Sequence, residues 1–124
     1  AGGGLIRLEI ADTLTLEGQL RTNGRWGSDT RYSGGGSGGG INILCRRLTG
    51  TTGFLSAKGG DAYDSGGSKG GGGGGGRIAV VSMSTNGWSG SNTVSEGVAS
   101  SNGASGTIVW MVTSMSSGTF FIIE

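Results

Sequence analysis

Three Gly-Gly-Gly triplets recur at a fixed step in this chain, each followed by a β-prone run. They are Gly2-Gly3-Gly4, Gly38-Gly39-Gly40 and Gly74-Gly75-Gly76, so the step is 36 residues both times. Behind them come Leu5-Ile6-Arg7-Leu8-Glu9-Ile10, Ile41-Asn42-Ile43-Leu44-Cys45 and Arg77-Ile78-Ala79-Val80-Val81. A weaker fourth copy, Thr107-Ile108-Val109-Trp110-Met111-Val112, follows Gly106. Periodicity of this size marks a stacked-repeat architecture, in which each unit buries its apolar face against a neighbour. It divides the chain into units of about 2–37, 38–73, 74–105 and 106–124, all within one domain (1–124).

Within the first unit, Thr13-Leu14-Thr15-Leu16 alternates apolar and polar residues as a half-buried strand does. Gly18 interrupts, Gln19-Leu20-Arg21-Thr22 resumes, and Asn23-Gly24 reads as a turn. The second unit repeats the order, with Gly53-Phe54-Leu55-Ser56-Ala57 standing 35 residues beyond Gly18-Gln19-Leu20-Arg21-Thr22. The third unit has decayed: Trp88, Val94 and Val98 are scattered among Ser, Asn and Gly. No segment has helical periodicity, and each glycine in a helix interior costs ~1 kcal/mol. Glycine holds 31 positions and proline none, which excludes collagen.

The pattern Gly-Gly-Gly-x-Ile-x-Leu…Leu-x-Leu-x-Gly-x-Leu-x-x-x-Gly, between Gly3 and Gly24, resembles the rungs of filamentous-haemagglutinin-like adhesins. Gly-Gly-Gly-Gly-Arg-Ile-Ala-Val, from Gly73 to Val80, is similar to glycine-rich repeats of very large secreted surface proteins of bacteria and microbial eukaryotes. The likeness spans about residues 2–81 and implies a right-handed parallel β-helix on an extracellular protein, with the polar loops extruded. The glycine runs also resemble the polyglycine II segments of certain phage tail-fibre tip adhesins, which pack as extended left-handed helices. The expected fold is all-β: a glycine-rich parallel β-helix or solenoid of three to four ~36-residue repeats, with room for a polyglycine II layer.

Charge narrows the partners. The formal net charge is +1, which gives no general attraction to nucleic acid or to an anionic membrane. Residues 1–77 carry all nine Lys/Arg and six of the eight acids, whereas residues 78–124 carry only Glu96 and Glu124. So sparsely charged a stretch points to surface covered in the working state. No apolar run approaches the ~20 residues of a membrane helix, so no membrane insertion is expected. The chain opens on Ala1 without a signal peptide, as expected of a processed chain or a fragment.

Chemistry-bearing patterns are sparse. Glycine runs cradle phosphate when a helix N-terminus follows, but here strands follow, and the runs read as places where backbones touch. Asp29, Asp61 and Asp64 lie in polar loops; a calcium site needs several hard oxygen ligands in tandem, and one partial copy is present. Cys45 is flanked by Arg46 and Arg47, yet histidine is absent and no base accompanies the thiol. Alternation places Cys45 with Ile43 on one face, as a buried structural thiol, with an inter-subunit disulfide as the other reading. No enzyme activity, cofactor or metal is expected.

What remains is assembly and recognition. Phe120-Phe121-Ile122-Ile123 is the most apolar run, suited either to an inner strand or to completing the sheet of the next subunit. Trp26, Tyr32, Tyr63 and Trp88 fall in or near the loops, as stacking platforms for sugar rings or a neighbouring subunit, or as cover for the glycine layer. The leading expectation is a structural subunit of an extracellular filament, sheath or surface appendage that self-assembles with identical copies through strand edges and terminal strands. The alternative is an adhesin or receptor-binding tip, of a phage or a cell surface, whose loops at 25–33 and 61–69 grip glycan or surface protein.

Overall fold

The computed structural model describes residues 1–28, 32–63 and 70–113. Seven strands follow in order: β1 (Leu5–Thr15), β2 (Gln19–Arg21), β3 (Gly40–Thr49), β4 (Phe54–Ser56), β5 (Arg77–Ser84), β6 (Ser91–Thr93) and β7 (Thr107–Val112). Odd-numbered strands form a four-stranded sheet in the order β1-β3-β5-β7, and even-numbered ones a three-stranded sheet in the order β2-β4-β6. Every pairing is parallel.

This corrects the expected closed solenoid. Among the described residues the strands make two open parallel sheets of unequal width, and no closed coil. The physical reason lies in the connections. The glycine-rich segments that would close each turn contribute no strand. They bond backbone to backbone across the molecule, as in Gly36 N–H to Arg25 O (2.7 Å), Gly60 N–H to Gly36 O (2.8 Å) and Gly97 N–H to Gly73 O (2.8 Å). With no closed coil there is nothing for a polyglycine II layer to line, and these runs serve as connections between the two sheets. The turn expected at Asn23-Gly24 is also absent as a hairpin, because parallel strands leave no place for one. Asn23 instead bonds forward to the next unit, its Oδ1 accepting from Ser56 Oγ (2.6 Å) and Lys58 N–H (2.9 Å).

The register is set by isoleucines rather than by glycine triplets. Ile6, Ile41, Ile78 and Ile108 lie at one level across the wide sheet, and Leu8, Ile43, Val80 and Trp110 at the next inward level. Aligning the triplets would have set Leu5 beside Ile41, one residue out. A one-residue slip turns every side chain to the opposite face, so the apolar columns prevail. A shift between Ile10 and Thr13 of β1 absorbs a length difference, as a bulge does.

The core lies where the two sheets face each other. Ile41, Ile43, Cys45, Ile78 and Val80 meet Leu55, with Leu16, Leu48 and Ala57 completing a buried cluster. β3, held between β1 and β5, supplies four of these nine residues, more than any other strand. Glycine is required where backbones pass closest. A Cβ on Gly39 would strike the Gly4 carbonyl, and one on Gly76 the Gly39 carbonyl.

Beside the core, Glu17 clasps the following unit. Its carboxylate accepts N–H bonds from Thr51 (3.1 Å) and Thr52 (2.9 Å) and the Thr52 hydroxyl (2.8 Å). The Thr52 backbone bond leads in holding this carboxyl below its ordinary value of 4.5.

Candidate functional site

Two regions of the described surface differ from the rest: the free edges of the wide sheet, and a loop cleft bearing an exposed tryptophan.

The edges arise from the strand order. Among the described residues, β1 and β7 each have a neighbour on one side only. Gly40 N–H donates to Gly4 O (2.9 Å), Arg77 N–H to Gly39 O (2.9 Å) and Thr107 N–H to Gly76 O (3.0 Å). Strand alternation then turns the backbone groups of Leu5, Arg7 and Glu9 away from β3, and those of Ile108, Trp110 and Val112 away from β5. The inward columns reach both edges without a polar stop. Ile6, Leu8 and Ile10 are half-buried at one end; at the other, Trp110 is 36% exposed and Val112 59% exposed. Trp110 leans on Trp88, with ring centroids 6.4 Å apart and planes tilted by 38°. Beside this pair a hollow of about 340 Å³ opens among Thr85, Gly90, Asn92 and Val112.

The cleft lies in the loops between strands. Arg25, Trp26, Gly27, Ser28 and Tyr63 line a hollow of about 380 Å³, with Trp26 69% exposed. Its walls are held by backbone bonds: Arg25 N–H to Ala1 O (2.9 Å), Gly27 N–H to Asp61 O (2.8 Å) and Tyr63 N–H to Ser33 O (3.2 Å). Glycine is needed at 27, since a Cβ there would press on the Ser33 carbonyl and the Tyr63 nitrogen. The Ser28 N–H also donates to Ser33 Oγ (2.8 Å).

The four loop aromatics are thus divided. Trp26 and Tyr63 share the cleft, Trp88 belongs to the β7 end, and Tyr32 is exposed at a turn with φ of 64°. Phe120, Phe121, Ile122 and Ile123, expected to serve assembly, lie outside the described residues, as do Asp29 and Asp64. Asp61 is engaged structurally: its carboxylate accepts the Val98 N–H (2.8 Å) and lies 3.9 Å from Lys58 Nζ. No group of three metal-ligating side chains occurs among the described residues. Cys45 is a free, buried thiol, and desolvation raises its pKa above the ordinary value.

Sequence reasoning missed Trp110 and Val112 as surface residues, because their apolar run reads as a core strand. Their place in the last copy of the repeat was the available signal, since a terminal copy has no following neighbour to cover it. Arg25 was expected only as the first residue of the 25–33 binding loop and was not singled out beside Trp26. No known protein family, curated protein or solved structure matches the chain.

Proposed function

We propose that this protein is a structural subunit that joins identical copies end to end into an extracellular filament, sheath or surface appendage. One observation carries the reading: the two free edges of the wide sheet are parallel, alike in phase, and continuous with the same apolar columns. A second copy whose β1 lay along β7 would set Leu5, Arg7 and Glu9 to bond β7, as Thr107, Val109 and Met111 now bond β5. Its Ile6, Leu8 and Ile10 would then cover Ile108, Trp110 and Val112. Contacts between unlike ends are heterologous, and they generate open filaments wherever the rotation from copy to copy does not close a ring.

The narrow sheet fits the same plan. Within each of the first three units its strand starts 14 residues after the wide-sheet strand: Leu5 to Gln19, Gly40 to Phe54, Arg77 to Ser91. The same count from Thr107 reaches Phe121, within the apolar run Phe120–Ile123. That run is aromatic and β-branched, the composition suited to strand addition.

Electron microscopy and sedimentation velocity test the proposal. The parent chain is expected to form long polymers. Trp110→Lys puts a charge where the next copy's Leu8 would lie, and deletion of 120–124 removes the apolar run; each is expected to leave short oligomers or monomers. Long polymers formed by both variants would defeat the reading.

A further inference from the structure

We propose that the Trp26 cleft is a saccharide site selective for acidic sugars, with Trp26 as the stacking platform and Arg25 as the carboxylate partner. None of the cleft residues belongs to β1 or β7, so this site stands or falls separately from edge-to-edge assembly.

An exposed tryptophan alone means little, since single apolar residues are common on surfaces. Here it forms one wall of a concavity of about 380 Å³, which falls in the range of small-molecule sites and is roomy enough for one or two sugar rings. The other lining residues include Arg25, Ser28 and Tyr63, whose side chains are capable of hydrogen bonding. One flat aromatic face beside a few convergent polar groups suits a ring with an apolar C–H face and a hydroxylated rim.

The cleft is also built in advance. Residues on both sides are tied by backbone bonds to Ala1, Ser33 and Asp61, and Gly27 lets the Tyr63 segment approach. A platform fixed before binding lowers the ordering cost that weakens shallow sites. Arg25 makes no ion pair among the described residues, whose two pairs are Arg7–Glu9 and Lys58–Asp61. An arginine with no carboxylate partner among the described residues, lining the cleft, favours a uronate or sialate group over a neutral sugar. Single-stranded nucleic acid also stacks on tryptophan, but it needs several cations along its backbone. Among the described residues this cleft has one, on a chain of net charge +1.

The test uses the full chain and follows the Trp26 indole N–H resonance, together with calorimetric titration. The probes are oligosaccharides bearing galacturonate, glucuronate or N-acetylneuraminate, their neutral counterparts, and a ten-residue oligothymidylate. At least one acidic saccharide is expected to shift the Trp26 signal and to bind more tightly than its neutral counterpart. Trp26→Ala should weaken that binding by tenfold or more, whereas Trp26→Phe should retain most of it. Arg25→Gln should remove the preference for acidic over neutral sugar. Trp26 is largely exposed, and unchanged far-UV circular dichroism of Trp26→Ala would show the fold kept. Failure of every acidic saccharide to bind, undiminished binding by Trp26→Ala, or tighter binding of oligothymidylate would overturn the proposal.

Discussion

Replacing Gly76 with alanine tests whether close backbone passage holds this molecule together. The added Cβ would collide with the Gly39 carbonyl and crowd the Gly38 and Gly39 carbonyl carbons. All three are main-chain atoms, so no side chain can swing aside. Relief requires Gly38–Gly39 to part from Gly76, at the expense of Arg77 N–H to Gly39 O (2.9 Å) and Gly76 N–H to Ala57 O (2.7 Å). Each such bond left unmade in a closed site costs about 1–3 kcal/mol, or roughly 2–6 kcal/mol for the two. Against this stands a gain of about 0.4–1 kcal/mol, because alanine restricts the unfolded chain. The expected net loss is roughly 1–6 kcal/mol, a large share of the ~5–15 kcal/mol of a typical domain. Gly74→Ala is the matched control. Its nearest contact would be the Ala104 carbonyl at 3.6 Å, an ordinary separation, and no positive φ stands in the way. It should stabilise by about 0.4–1 kcal/mol. Urea denaturation followed by tryptophan fluorescence measures both. A Gly76→Ala protein within about 0.5 kcal/mol of the parent, or a Gly74→Ala protein equally damaged, would refute the reasoning.

Other substitutions probe the core and its clasp. Thr22 is 4% exposed, and its Oγ1 has no hydrogen-bond partner among the described residues. Thr22→Val keeps the shape and removes the orphan hydroxyl, so it should raise stability by about 1 kcal/mol, read from a denaturant midpoint. Ser82→Ala at the other buried orphan should act in the same direction. Glu17 has a carboxyl pKa lowered by folding, so its contribution is present above the unfolded value near 4.5 and is lost as pH falls through the folded one. The melting temperature should therefore fall on acidification below about pH 4.5, and less steeply in Glu17→Gln; parallel pH profiles for the two proteins would contradict this. Cys45, buried and raised in pKa, should resist a disulfide exchange reagent in the native state and react once urea unfolds the chain.

The starts of all four wide-sheet strands could be read from the residues behind each glycine run, because apolar residues there alternate in step with the pleat. β2 and β4 were legible for the same reason, through Leu20 and Leu55. β6 was not. Ser91-Asn92-Thr93 carries no apolar residue, and it is a strand only because Phe54–Ser56 offers a free edge beside it. Tertiary pairing there outweighs local pattern. The open form of the fold was illegible too, since glycine runs suit a closed turn and an unpaired connection equally well. Of the surface features, Trp26 and Tyr63 were visible as loop aromatics. Their shared cleft depends on bonds such as Gly27 N–H to Asp61 O, which join residues 34 positions apart and leave no trace in spacing.

Within each sheet the described strands run parallel, and β1 and β7 present unlike outer edges, so the wide sheet has a head and a tail with no twofold means of satisfying both. If copies join at all, a chain crippled only along β7 can still dock by its intact β1, yet it offers nothing to its successor. A small admixture of such chains would act as a terminator, shortening polymers in proportion to its mole fraction, whereas inactive subunits that merely dilute the pool would not.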